Sequence, residues 1–451
     1  MKFVHDKSFY KNFAVLTISI ALQNLLTYSV NLADNLMLGR FSQNALSGAA
    51  LCNQIQFLLQ MLVVGVGEGV VVIGSQYWGR NNLKPVPDII GAGLRFGLGM
   101  ALAVFTAVFF FPEKIIRLMS NDGAVIAEAV KYLRIICFTY LIFALTNMLV
   151  ASLRAIGEVR IGYILSLSTL CINICLNWVF IFGNLGAPVL GIQGAAIATL
   201  TSRIAELVIL IFFLKYREHR LNLSLKKLVF IDKSFIRDFF HVSLPIIIAQ
   251  AFWGLMMMVQ TGILGNMDNS GDITAANAVS VLLCQIITVV GYGAAAAAGI
   301  ITGKSVGEGD NERIKQNTRT FQLMFLGIGV VTGLIIYFLR YPVMQLYPKL
   351  SPEARRLTLQ FTAVMSAASV GTCYQMACDT GIIRAGGDTK FQLYNNSIFL
   401  GSCLCVAALC AFVLHSPPVV VFFWLKADQI LKCITVGIRV NSYKWIRKVT
   451  R

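Results

Sequence analysis

The sequence predicts an all-α polytopic membrane protein, with about twelve transmembrane helices in two six-helix lobes related by a pseudo-two-fold axis along the membrane normal. Three observations predict it. Charged residues make up only 13% of the 451-residue chain, and the mean hydropathy is +0.72, whereas a soluble domain carries roughly 25% charge. Apolar runs of membrane-crossing length recur from end to end, and two motif pairs repeat along the chain. The short alternating segments of a membrane β-barrel are not found in this sequence.

The runs fall at 13–38, 46–78, 89–111, 123–151, 160–182, 191–216, 240–264, 272–302, 313–340, 352–383, 391–413 and 417–438. Several exceed the twenty or so residues needed to cross a bilayer, so they tilt or project beyond it. The first follows MKFVHDKSFYK, is too long for a signal-peptide core and is not followed by a small-residue cleavage site, so it is expected to stay as a helix. Loop charge sets the orientation. Lys215, Arg217, Arg220, Lys226, Lys227, Lys233 and Arg237 flank the connection between the sixth and seventh runs, and Lys432, Arg439, Lys444, Arg447, Lys448 and Arg451 mark the C-terminal end. The loop at 184–191 is uncharged and that at 265–272 carries only acids; Lys114, Arg117 and the stretch Lys349 to Arg356 soften the contrast without reversing it. Basic loops stay in the cytoplasm, which places both termini there.

LRAIGEVR (153–160) resembles IRAGGDTK (383–390), and SQYWGRNN (75–82) has a counterpart in GKSVGEGDN (303–311). Both pairs follow an even-numbered run of their half. Six runs per half give a parallel repeat, with residues 1–216 as the N-lobe, 217–239 as a basic cytoplasmic linker and 240–451 as the C-lobe. Repeats of this kind carry a solute cavity, which points to transport.

The net charge of +17 raises nucleic-acid binding, but its placement in alternate loops follows membrane topology instead. The eleven cysteines form no CxxC pair and lie almost wholly inside apolar runs, as small packing residues do. His5, His219, His241 and His415 fall in termini, loops or span edges, and no nucleotide-binding, zinc-protease or nucleophile-elbow motif stands in a usable context. The chain is therefore expected to be no enzyme, to hold no cofactor and to run on an ion gradient.

Ionisable residues within the runs are few. A carboxylate at mid-helix costs about 2.5–3.5 kcal/mol on insertion scales, so each needs a partner, water or a use. Asp34 stands in YSVNLADNLMLGR, near the end of the first run, beside Tyr28, Asn31 and Asn35 and without a basic residue one turn before it. It reads as a cation or proton site, or as an interfacial acid. Asn173 and Asn177, four apart in CINICLNWVFIFG, share one helix face and suit either cation coordination or interhelical hydrogen bonding. Glu68 sits among glycines in GVGEGVVV, Arg203 and Glu206 read as a self-satisfied pair, and Asp379 is expected to pair with Arg384. Gln23, Tyr28, Asn31, Phe57, Glu68 and Met256 are the candidate lining of an apolar cavity with polar anchors.

These motifs, in order along nearly the whole chain, resemble the multidrug and toxic compound extrusion (MATE) transporters. NLADNLMLGR resembles the family's first-helix motif, SQYWGR its second-helix exit, and LRAIGEVR, NICLNWVFIFG and GIQGAAIAT its fourth-to-sixth-helix signature. Leu244-Pro245, GKSVGEGD and IIRAGGDTK resemble the second-half counterparts. The resemblance implies an H⁺- or Na⁺-driven antiporter exporting amphipathic, often cationic, drugs by alternating access between two lobes. Carried over residue by residue, the family's first-lobe cation site falls on Asp34, Asn173, Asn177 and Thr199, with Na⁺ at Asp34 the one metal considered. This sequence departs from the family at Asn177, where many members carry Asp. It also lacks a proline within 13–38, and it has Gln250 and Cys373 where one subgroup has acids. The neutral Asn177 favours H⁺ over Na⁺. The expected partners are a small amphipathic substrate and the lipid bilayer, without nucleic acid. The chain is expected to be a monomer in the plasma membrane.

A flippase for lipid-linked saccharides is the alternative reading, for which Arg95 and Arg203 would matter. A passive channel is another, and a membrane-embedded enzyme a third, which the histidine placement disfavours.

Overall fold

A computed structural model describes residues 3–221, 223, 233–348 and 350–450. Residues 222 and 224–232 of the expected linker, with Lys226 and Lys227, lie outside the described residues, as do Lys349 and Arg451. Among the described residues the chain is all-helical, in the order α1 (Lys7–Phe41), α2 (Gln43–Gly79), α3 (Val86–Phe110), α4 (Pro112–Arg117), α5 (Gly123–Ile136), α6 (Phe138–Ala155), α7 (Arg160–Phe182), α8 (Ile192–Tyr216), α9 (Lys233–Gly265), α10 (Ser270–Glu308), α11 (Asn311–Met344), α12 (Pro352–Cys378), α13 (Thr389–Phe412) and α14 (Pro418–Asn441). The predicted run 123–151 is divided at Cys137 into α5 and α6, and α12 continues into one π-helical turn over Asp379–Arg384.

Ten of these helices are long and apolar enough to cross a membrane. Two further predicted spans, α12 and α14, have 27 and 24 residues. At about 1.5 Å per residue each is long enough to cross. They fall short in apolarity because they carry buried polar side chains. In α14, Lys432 Nζ donates to Asp428 Oδ2 at 2.8 Å, one turn apart and both nearly inaccessible. Asp379, expected to pair with Arg384, is buried within electrostatic reach of Lys432 as well as Arg384.

Contacts group the described residues into two units. One comprises Leu22–Ile247; the other comprises Met1–Ala21 with Ile248–Arg451. In the first, α2 packs on α3, α5 and α6, while α7 packs on α8. Gly194 sets the α7–α8 approach: a Cβ there would stand 2.5 Å from the Phe180 carbonyl oxygen, too close for any real side chain. In the second, α12 is central, against α10, α11 and α14. Phe361 and Phe422 stack at 4.0 Å between ring centroids within an apolar cluster that includes Ile273, Leu357 and Leu425.

The repeated loops are fastened alike in the two units. Glu158 of LRAIGEVR meets Arg220, which follows the last helix of its half, at 3.6 Å. Asp388 of IRAGGDTK meets Arg447, which follows α14, at 3.1 Å, and is also bonded by Arg439. Arg447 N donates to the Gly386 carbonyl at 2.8 Å, and the fully buried Trp445 covers Gly386 so closely that a Cβ there would meet its ring at 2.1 Å. Each acid of the repeat thus ties the end of its own half to the loop after that half's fourth span.

Two outcomes follow. Gly194→Val forces α7 from α8, and thermal unfolding in detergent should fall by several degrees, with Gly194→Ala intermediate; an unchanged midpoint for Gly194→Val would refute the close approach. The second concerns Glu218, which accepts hydrogen bonds from Arg220 at 2.5 and 3.0 Å. Burial pushes its carboxyl up, but the Arg220 bonds outweigh burial and hold it below the ordinary 4.5. A depressed carboxyl stabilises the fold above its unfolded value, and that contribution is lost as pH falls through the folded value. Amide exchange at Arg217–Leu221 should therefore speed up below about pH 4.5, beyond its intrinsic pH dependence, and Arg220→Ala should remove the effect.

Candidate functional site

Three helices of the first unit supply the site. The end of α1 presents Asp34, the middle of α7 presents Asn173 and Asn177 one turn apart, and the first half of α8 presents Thr199. The α7 spacing puts both amides on one face, and the Gly194 seam brings α8 against that face. The result is one hydrogen-bonded chain. Asn177 Nδ2 donates to Asp34 Oδ1 at 2.5 Å and to Asn173 Oδ1 at 3.0 Å, and Asn173 Nδ2 donates to Thr199 Oγ1 at 3.2 Å. Both asparagines are 0% exposed, Thr199 is 9% exposed and Asp34 is half-buried.

One acceptor in this chain is unspent. Asn177 Oδ1 is buried and has no hydrogen-bond partner. Together with Asp34 Oδ, Asn173 Oδ1 and Thr199 Oγ1 it makes a set of oxygens of the kind that hard cations bind, and it is also an acceptor for a protonated carboxyl. Among the described residues no group of three or more His, Cys, Asp or Glu could hold a metal ion.

Charge nearby is balanced on α8. Arg203, one turn beyond Thr199, bonds Glu206 Oε2 at 2.8 Å, as the three-residue spacing suggests, and it also acts electrostatically on Asp34. The sequence reading paired Arg203 with Glu206, or set it in the cavity of the flippase alternative, and did not connect it to Asp34. It also missed Tyr132 of α5, buried and within electrostatic reach of Asp34. A tyrosine in VKYLRII carries no spacing signal towards a residue of α1.

The expected cavity residues divide. Gln23 Oε1 accepts from Arg154 Nη2 at 3.0 Å, and Glu68, within electrostatic reach of the same guanidinium, supplies the opposing charge. The sequence reading did not connect these three. Tyr28 and Asn31 are exposed on α1, and Phe57 is half-buried on α2. Met256 is half-buried on α9, in the other unit.

The chain as a whole has relatives. The chain is similar to the uncharacterized transporter YisQ of Bacillus subtilis, 25% identical over 421 residues that cover 92% of this chain and 90% of that one. It is similar to the probable multidrug resistance protein NorM of Thermotoga maritima, 25% identical over 332 residues, covering 72% and 69%. Among solved structures it is similar to the eukaryotic MATE transporter AtDTX14, with a TM-score of 0.86 at 17% identity over 98% of this chain and 97% of that one. A MATE structure in complex with MaL6 gives a TM-score of 0.85 at 18% identity over 96% of each chain. At such identities the structural likeness speaks for the fold. The family is settled by the MatE model, which matches residues 19–179 and again 245–409. The chain belongs to the MatE family of multi-pass membrane transporters.

Proposed function

We propose that the protein is an ion-gradient-driven antiporter that exports amphipathic cationic drugs or metabolites, with Asp34 as the group that exchanges drug for ion. The observation that carries this reading is the buried chain Asp34–Asn177–Asn173–Thr199 with Asn177 Oδ1 unspent. A buried carboxylate is most stable when a proton or cation neutralises it. Asn177 serves both states. Its Nδ2 donates to the carboxylate; rotating the amide would present Oδ1 to a protonated Asp34 or to Na⁺. With a neutral amide at 177, Asp34 is the one carboxylate of the chain, and a single proton is enough to discharge it. The lobes at 1–216 and 240–451, joined by the linker at 217–239, would alternate access, with both termini in the cytoplasm and the protein working as a monomer in the plasma membrane.

Asp34→Asn tests the exchange role. In proteoliposomes energised by a pH or Na⁺ gradient, uphill dye transport should fall by about tenfold or more, because the amide cannot be discharged. Normal uphill transport by this variant would end the proposal. Collapsing the two gradients separately identifies the ion.

Ion and drug must also weaken each other's binding by the same factor. Below the pH at which Asp34 titrates, the affinity for a monovalent cationic dye should drop by up to about tenfold per pH unit, and above it affinity should level off. In Asp34→Asn the slope should vanish. A wild-type affinity independent of pH would show that drug and proton do not compete at this carboxylate.

A further inference from the structure

The family model matches the chain twice, once in each half. Asp34 lies fifteen residues into the first match and Gln260 fifteen into the second. Counted back from the ends of the matches, Asn173 and Asn177 correspond to Cys403 and Ala407. Beyond them, Thr199 is seven residues from the start of α8 and Lys426 eight from the start of α14. Near these places the second half carries different chemistry from the hydrogen-bonded chain of the first.

Two of them meet there too. Lys426 Nζ donates to Gln260 Oε1 at 3.0 Å and lies 5.7 Å from the centroid of the Phe422 ring. Where the first half pairs a carboxylate with neutral donors, the second pairs an ammonium with a neutral acceptor. Among the described residues Lys426 forms no salt bridge. Asp428 feels its charge; Oδ2 of that carboxylate is bonded by Lys432 and by Gln429 Nε2, each at 2.8 Å, while its Oδ1 is buried without a hydrogen bond, so one carboxylate serves two ammoniums. The Cys284 thiol is the remaining titratable neighbour. Gln260 is 5% exposed and Lys426 half-buried.

An ammonium has three donors, and one is used here. Lys426 and Lys432 share the single carboxylate of Asp428, which leaves one positive charge in excess, and such a charge within a membrane-spanning helix is costly and marks a functional position. The Gln260 amide adds Nε2–H donors beside it. We propose that Gln260 and Lys426 form an anion-binding site in the second half that takes the carboxylate of an organic solute. Ammonium and amide together offer donors to both carboxylate oxygens, a charge-assisted arrangement.

The proposal rests on the export reading only in bringing solute to the second half, and its test reads binding without transport. The full-length protein in lipid nanodiscs is titrated with rhodamine 110, which bears a free carboxylate, and with its methyl ester rhodamine 123, followed by fluorescence anisotropy. Lys426→Met should weaken binding of the acid by about tenfold while leaving the ester unchanged, and Lys426→Arg should keep both. Gln260→Glu, nearly isosteric, gives the ammonium an internal counter-ion and should likewise weaken the acid alone. In the wild type, octanoate should displace the acid and spare the ester. The proposal is overturned if wild-type protein binds the acid no more tightly than Lys426→Met does, if both dyes weaken in parallel in the variants, or if octanoate displaces neither. Binding as expected without uphill transport would sink the antiport reading and keep this one.

Discussion

A charge inside a membrane-spanning helix must find its counterpart on another residue, and much of this protein's architecture follows from that constraint. Bilayer hydrocarbon offers no water to satisfy it. Asp34 is held by an amide of α7, Arg154 by Gln23 and by the field of Glu68, Arg203 by Glu206, Asp428 by Lys432 and Asp388 by Arg439. Several of these contacts join helices far apart in sequence. They select one register from the many that apolar surfaces alone would accept, because lipid tails and leucine side chains are equally good neighbours for an apolar helix.

The two halves solve the problem with opposite signs. In the first, the repeated position is a carboxylate whose companions are neutral, so its neutralising charge must come from outside. In the second, Gln260 stands at the same distance from the start of its family match, and the charge is carried by Lys426. One half is therefore centred on a carboxylate and the other on an ammonium. A duplicated scaffold can divide labour in this way without altering its backbone.

Much of this was legible in the sequence. The spans followed from apolar runs, and the site from Asp34 in a greasy run, from the four-residue spacing of Asn173 and Asn177, and from motif resemblance, which alone brought in Thr199. The structure places those four in one hydrogen-bonded chain. What escaped was pairing between distant helices. Nothing in the spacing of Gln23, Glu68 and Arg154 links them, since their proximity is made by packing. Tyr132 escaped for the same reason. Lys426 and Asp428 escaped because α14 reads as one more hydrophobic run, with its last basic residues counted towards the cytoplasmic tail.

The seam at Gly194 has a mechanical meaning. With backbone against side-chain-free backbone, α7 and α8 cannot slide or rotate against each other without collision. They form a stiff plate carrying Asn173, Asn177 and Thr199 at fixed spacing. Asp34 is mounted on a different rod, α1, and the Asn177 amide is the polar link between rod and plate. In the proposed exchange, a change of charge on Asp34 would be delivered as a change in how firmly α1 grips that plate. Under the proposed exchange the site would act as a clutch, in which a single proton or ion sets whether two rigid parts move together.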